Sequence, residues 1–137
     1  MQRWVAPPNP LLKINVDAAA PNGRPGGVGV IVRDSLGLIN AAGYWPILFE
    51  GQAHEMEALA TYYGLNFAKE CCFREVILES DNLEVIKALK QGTPNQTCFG
   101  SFIADTLSLL GNFRNVSFSH VMRKGNKVDR RSPKSYN

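Results

Sequence analysis

From Leu11 the chain alternates, with Leu12, Ile14 and Val16 on one face and Lys13, Asn15 and Asp17 on the other, the two-residue period of a half-buried strand. Turn chemistry follows in PNGRPGG, and VGVIVRD and then, after Ser35, LGLINAAGY read as two further strands on short connections, which predicts an antiparallel meander. After Trp45 and Pro46 the period changes. Met56, Leu59, Ala60, Tyr63 and Phe67 recur at helical spacing, predicting a helix over residues 53–73. EVILES, residues 75–80, is a short, nearly continuous apolar run suited to a strand buried on both faces. Leu83, Ile86 and Leu89 then mark a helix over 82–92 that ends at Gly92, a third helix is predicted over 99–110, and VSFSHV over 116–121 supplies a last strand. Before Pro10 the chain is proline-rich and aperiodic, an extended lead-in.

The predicted order is three meander strands, helix, strand, helix, helix, strand. A helix joining the meander to EVILES implies a right-handed crossover, so EVILES would run parallel to a meander strand in a mixed five-stranded α/β sheet with flanking helices. If its neighbour is LLKINVD, two parallel strands end in Asp17 and Asp81 at one edge of the sheet, where open α/β sheets place ligands. Two adjacent carboxylates repel, and a dication would neutralise them. Asp17 gives the stronger signal, because no helix follows for it to cap. Asp81 has a second reading, since Asp81, Asn82, Leu83, Glu84 has the spacing of a helix N-cap with an acid at the third position; the two roles can coexist. On the first helix Glu57 stands three before Ala60 and seven before Gly64, on one side. Small residues there would let the helix approach the sheet and carry Glu57 to the strand ends. Glu55 reads as a solvated helix carboxylate.

Composition narrows the class. With 137 residues, 45% hydrophobic and 20% charged, the chain fits one globular domain. No apolar run approaches the roughly 18 residues of a membrane span, and the start lacks the apolar stretch of a secretory signal. The expectation is an intracellular, monomeric protein with no membrane partner. Cys71, Cys72 and Cys98 are odd in number and lack zinc-site spacing, so they read as reduced, mostly packing thiols. The net charge is only +3, but seven of the fifteen basic residues fall after position 113, with Asp129 the lone acid among them. Such an end attracts polyanions, and equally suits a solvated terminus. A small-molecule α/β protein is disfavoured, because GRPGGVG joins two strands rather than a strand and a helix.

In order and spacing, KINVDAA, GGVGVIVRDSLG, HEMEALATYYGL, VILESDNLEVIKAL and FSHVMRKGNKVD resemble the ribonuclease H fold as it occurs in plant ribonuclease H-like proteins and reverse-transcriptase-derived domains. Trp4, Pro7 and Pro8 of the lead-in are similar to that plant group. The resemblance covers residues 4–129 and implies a lead-in at 1–10, a ribonuclease H-like domain at 11–129 and a basic tail at 130–137. It also implies four acids holding two magnesium ions, or manganese, for hydrolysis of the RNA strand of RNA/DNA hybrids. The family's first-strand aspartate falls on Asp17, the glutamate of Glu-x-x-Ala-x-x-x-Gly-Leu on Glu57, and the aspartate of the Ser-Asp pair on Asp81. Magnesium prefers hard oxygen ligands, and two ions would stabilise the entering and leaving oxygens of an in-line displacement. Arg123, Lys124, Asn126 and Lys127 would contact the nucleic acid, with RNA distinguished through its 2′-hydroxyls.

The chain departs from the family pattern at its end. The fourth aspartate, expected after Asn-x-x-x, falls on Asp129, one residue early after Asn126, and RRSPKSYN replaces the apolar closing helix, which is therefore expected to be missing. Ala18 stands where the family has glycine. These departures motivate the alternative of a catalytically lapsed nucleic-acid-binding domain derived from a retroelement or a truncated gene. His120 resembles the family's His-Val-x-Arg segment and reads as structural or as a minor phosphate contact; His54 reads as a surface or turn residue.

Overall fold

The computed structural model describes residues 4–19, 26–48, 51–92 and 97–122. Asp129, the four nucleic-acid contacts predicted at Arg123, Lys124, Asn126 and Lys127, and the closing-helix segment lie outside these residues. In chain order the elements are β1 (Leu12–Ala19), β2 (Gly26–Arg33), β3 (Ile39–Ile47), α1 (Ala53–Glu70), β4 (Glu75–Ser80), α2 (Leu83–Gln91), α3 (Cys98–Leu107), a 3-10 turn (Leu110–Asn112) and β5 (Asn115–His120). Among the described residues the strands form one five-stranded sheet in the order β3-β2-β1-β4-β5. β1 pairs antiparallel with β2 and parallel with β4, β2 antiparallel with β3, and β4 parallel with β5. This is the mixed five-stranded sheet that the residue pattern predicts, in the arrangement that the resemblance implies. No helix among the described residues is long and apolar enough to cross a membrane.

Ile14 and Val16 of β1, Val28, Val30 and Val32 of β2, and Val76 and Leu78 of β4 turn to one side of the sheet and form the core with α1, α2 and α3. Gly64 governs how closely α1 settles. A Cβ built there would collide with Val16 Cγ1, and would lie 3.3 Å from Ile14 Cγ2 and 3.4 Å from Leu78 Cδ1. α1 therefore rests backbone-first on the two strands that end in Asp17 and Asp81. Its partner α3 is held by a buried hydroxyl contact of 3.1 Å between Thr61 and Thr106.

Three boundaries differ from the periodicity. α1 stops at Glu70 because Cys72 adopts φ 63°, with Phe73 N–H donating to Ala68 O (3.0 Å) and Cys72 N–H to Lys69 O (3.0 Å), the double closure of a left-handed helix ending. β3 runs on through Trp45 and Pro46, because Trp45 packs against Tyr63 and Phe67 of α1. At α2 the N-cap is Asn82, whose side chain accepts from Val85 N–H at 3.0 Å; the cap expected at Asp81 falls one residue later. Gly92 closes α2 at φ 70°. Glu55 is likewise not simply solvated, since it accepts from Gln52 N–H at 2.9 Å and closes the start of α1.

Gly64→Ala is expected to lower stability. Overpacking costs about 1–3 kcal/mol, against a helix-propensity gain of about 1 kcal/mol; urea unfolding of the two proteins checks the sign. Asn82→Ala should cost about 0.5–2 kcal/mol through loss of the cap, whereas Asp81→Ala should change stability by less than Asn82→Ala does. Equal losses in the same unfolding assay would return the cap to Asp81.

Candidate active site

The sheet topology brings the predicted acids to one edge. The β1–β4 pairing runs Leu12↔Val76, Lys13↔Ile77, Ile14↔Leu78 and ends at Asn15↔Glu79. Asp17 and Asp81 each lie two residues beyond that last pair, at the C-terminal ends of adjacent parallel strands. β3 ends at the same edge, being two antiparallel steps from β1. α1 must then begin there and run back to the start of β4, so its N-terminal turns, with Glu57, sit over the strand ends. Asp17, Glu57 and Asp81 are all half-buried. One oxygen of each of the latter two, Glu57 Oε1 and Asp81 Oδ2, is shielded from solvent.

Hard carboxylate oxygens at a shared edge are the donor chemistry that magnesium takes, and oxygens withdrawn from water favour neutralisation by a cation. The side chains do not, however, form a finished ligand set. Among the described residues no group of three or more His, Cys, Asp and Glu side chains is placed to hold a metal ion. Gly64 marks where α1 touches Val16, and Glu57 is seven residues upstream, about 10 Å along the helix axis. This places Glu57 over the C-terminal ends of β1 and β4.

The neighbouring groups fix the backbone of the edge. Val121 N–H donates to Ser80 O at 3.0 Å, Asn82 N–H donates to Ser80 Oγ at 3.1 Å, and His120 Nε2 lies 3.3 Å from Asp81 O. His120 thus braces the strand end. His54 belongs to the first turn of α1 and packs its ring 5.2 Å from that of Phe99, so it is a helix contact rather than a turn residue.

Asp17 also borders a groove of about 560 Å3 on the sheet face opposite the helices, lined by Asn15, Gly29, Ile31, Ala42 and Tyr44 among others. Asp17 pairs with Gly29, and Gly29 with Tyr44, so carboxylate, bare backbone and aromatic ring stand in one cross-strand row.

A polar network on that face was not legible as part of the site. Lys13, Asn15 and Glu79 are buried at 7%, 5% and 5% exposure, although the alternation of β1 marks Lys13 and Asn15 as its polar side. They are covered by the lead-in, whose Trp4 Nε1–H donates to Asn15 Oδ1 at 2.9 Å. Asn15 Nδ2–H donates to Glu79 Oε1 at 2.8 Å, Lys13 Nζ sits 3.0 Å from Glu79 Oε2, and the same ammonium donates to Val5 O at 2.6 Å. Lys13 and Arg33 both lie 5.3 Å from the Trp4 ring, and burial lowers the pKa of the Arg33 guanidinium by desolvation. The available signal was Glu79 itself, an acid within a strand expected to be buried on both faces, which requires a partner.

Comparison with known proteins agrees with this architecture. A family model described as reverse transcriptase-like matches residues 15–130. The ribonuclease H1 of the halophilic archaeon Halobacterium salinarum NRC-1 superposes with a TM-score of 0.77 at 24% identity, covering 85% of this chain and 89% of that one. The N-terminal ribonuclease H domain of a Mycobacterium tuberculosis protein gives 0.75 at 18% identity, covering 85% and 86%. The LC11 ribonuclease H1, solved in complex with an RNA/DNA hybrid, gives 0.70 at 19% identity, covering 84% and 88%. A search of curated proteins finds no significant match. This support reaches the ribonuclease H-like level of the resemblance and does not extend to the plant group. With the family model spanning most of its length and the sheet order and helices in agreement, the chain belongs to the reverse transcriptase-like family of ribonuclease H-like domains.

Proposed function

We propose that this domain hydrolyses the RNA strand of RNA/DNA hybrids in a reaction dependent on Mg2+, with Mn2+ able to replace it. The observation that carries this is the meeting of Asp17 and Asp81 two residues past the last β1–β4 pair, under the N-terminal turns of α1 that hold Glu57. Further support comes from the LC11 relative, whose structure contains an RNA/DNA hybrid.

In this mechanism Asp17, Glu57 and Asp81 would hold two divalent ions through carboxylate oxygens, with Asp129 as fourth ligand. Divalent ions held there would supply activation of a water and charge stabilisation for an in-line displacement. Asp17 and Asp81 stand at the ends of paired strands, so the protein fixes their backbones before substrate arrives, and the first turns of α1 carry Glu57 over the same edge. Arg123, Lys124, Asn126 and Lys127 contact the nucleic acid, the cationic side chains neutralising phosphates and making binding weaken as salt rises. Recognition of the RNA strand passes through its 2′-hydroxyls across the wide minor groove. No side chain forms a covalent bond to the substrate.

A second function, nucleic-acid binding without cleavage, is favoured by Ala18 beside Asp17 in β1 and by RRSPKSYN in place of an apolar closing helix. One assay separates the two. With labelled hybrid and Mg2+ or Mn2+, the wild-type chain should cut the RNA strand, and Asp17→Asn should reduce the rate by about 100-fold or more, since even partners one shell outside a metal cost about 10–100-fold. Salt-sensitive binding with intact RNA under both metals would select the non-cleaving function instead.

A further inference from the structure

Building on the function proposed above, we propose that the Asn15–Glu79 side-chain bond, fastened by Trp4, is a positioning tie that sets the span between Asp17 and Asp81. Asn15↔Glu79 is the last β1–β4 pair, and the side-chain bond of 2.8 Å joins those same two residues. It lies two residues before each carboxylate, on the sheet face that Asp17 shares.

Each end of the tie is oriented by a different partner. An amide can face Glu79 with either end, and only its NH2 is attractive there. Trp4 Nε1–H donates to Asn15 Oδ1, which commits the carbonyl to the lead-in and turns the NH2 toward Glu79. Lys13 holds the other Glu79 oxygen at 3.0 Å, which fixes the carboxylate plane and neutralises its charge. Lys13 and Arg33 each lie 5.3 Å from the centroid of the Trp4 ring. Every member is half-buried or buried, where water competes weakly for these bonds. None of Trp4, Asn15 or Glu79 need touch metal or substrate; they act through the strands that carry the ligands.

The test uses the full chain and Mn2+ alone. Trp4→Phe removes the indole N–H while keeping a ring, and Asn15→Ala removes the tie. Thr106→Val, remote from the edge and bonded to Thr61, serves as a destabilised control. Mn2+ affinity is read by titration calorimetry, with Asp17→Asn as the site-specific blank, and hydrogen exchange is read at the amides of residues 16–18 and 80–82. Affinity should fall about 3- to 10-fold in Trp4→Phe and about 10- to 100-fold in Asn15→Ala, the range for groups one shell outside a metal, with faster exchange confined to the two strand tips. Affinity within twofold of wild type in a folded Trp4→Phe, unchanged exchange at the tips, or an equal affinity loss in Thr106→Val would each overturn the tie while leaving the proposed function standing. Wild-type protein with no Asp17-dependent Mn2+ binding would remove the proposed function and the tie with it.

Discussion

The parallel pairing of β1 with β4 is the contact on which the rest of the molecule depends. Antiparallel neighbours alternate their ends between the two edges of a sheet, so the C-terminal ends of β1 and β2 lie at opposite edges. A parallel pair brings its C-terminal ends to one edge, but it requires a crossover, and α1 supplies it. The crossover then has a second consequence. A helix that leaves from the C-terminal edge carries its own first turns over that edge, and Glu57 is delivered there by the connection that made the strands parallel. Gly64 lets this happen at close range, because any side chain at its position would strike Val16.

Much of this architecture was legible from periodicity. Leu12, Ile14 and Val16 declared β1, EVILES declared a buried strand, and the crossover rule made it parallel to a meander strand, which the structure identifies as β1; the matching bounds of β4 reflect a short run with clear turn residues on both sides. Boundaries set by local capping were less legible. Cys72 in a left-handed conformation is unusual for a non-glycine residue, and nothing in its neighbourhood announces it. Asp81 and Asn82 are both good capping residues, and the choice between them was settled by β4 and β5, whose pairing of Ser80 with His120 extends the strand to the last residue before Asp81. For the site, sequence indicated which acids share an edge, because that follows from topology. It did not indicate how nearly their side chains meet, which depends on the tilt of α1 and on rotamers.

The face of β1 bearing Lys13, Asn15 and Asp17 was harder still. Alternation marks residues as polar without saying whether water or protein covers them. Here the cover is the aperiodic lead-in, whose role comes from Trp4 and one backbone carbonyl, that of Val5, rather than from any repeating pattern. A segment that looked like a mere approach to the domain closes part of its sheet.

Burying Lys13, Asn15 and Glu79 is costly, and a well-packed apolar trio of similar volume would often stabilise a protein as much or more. What the polar set contributes is register. β1 and β4 are far apart in sequence, so no hairpin turn fixes their alignment, and slipping a strand by one residue exchanges its two faces. An apolar interface between Ile14, Val16, Val76 and Leu78 would tolerate such a slip poorly but without strong discrimination, since all are aliphatic. With Glu79 in the strand, the slipped arrangement would drive a carboxylate into the core beneath α1 and leave Lys13 without its counter-charge. The same pairing has an electrostatic effect at the edge. Glu79 lies two residues before Asp81 on the strand, and its ion pair with Lys13 keeps a further negative charge from adding to the repulsion among Asp17, Glu57 and Asp81. The network thus aligns the strands that carry the acids and, by neutralising its own acid, limits the charge that any bound cation must offset.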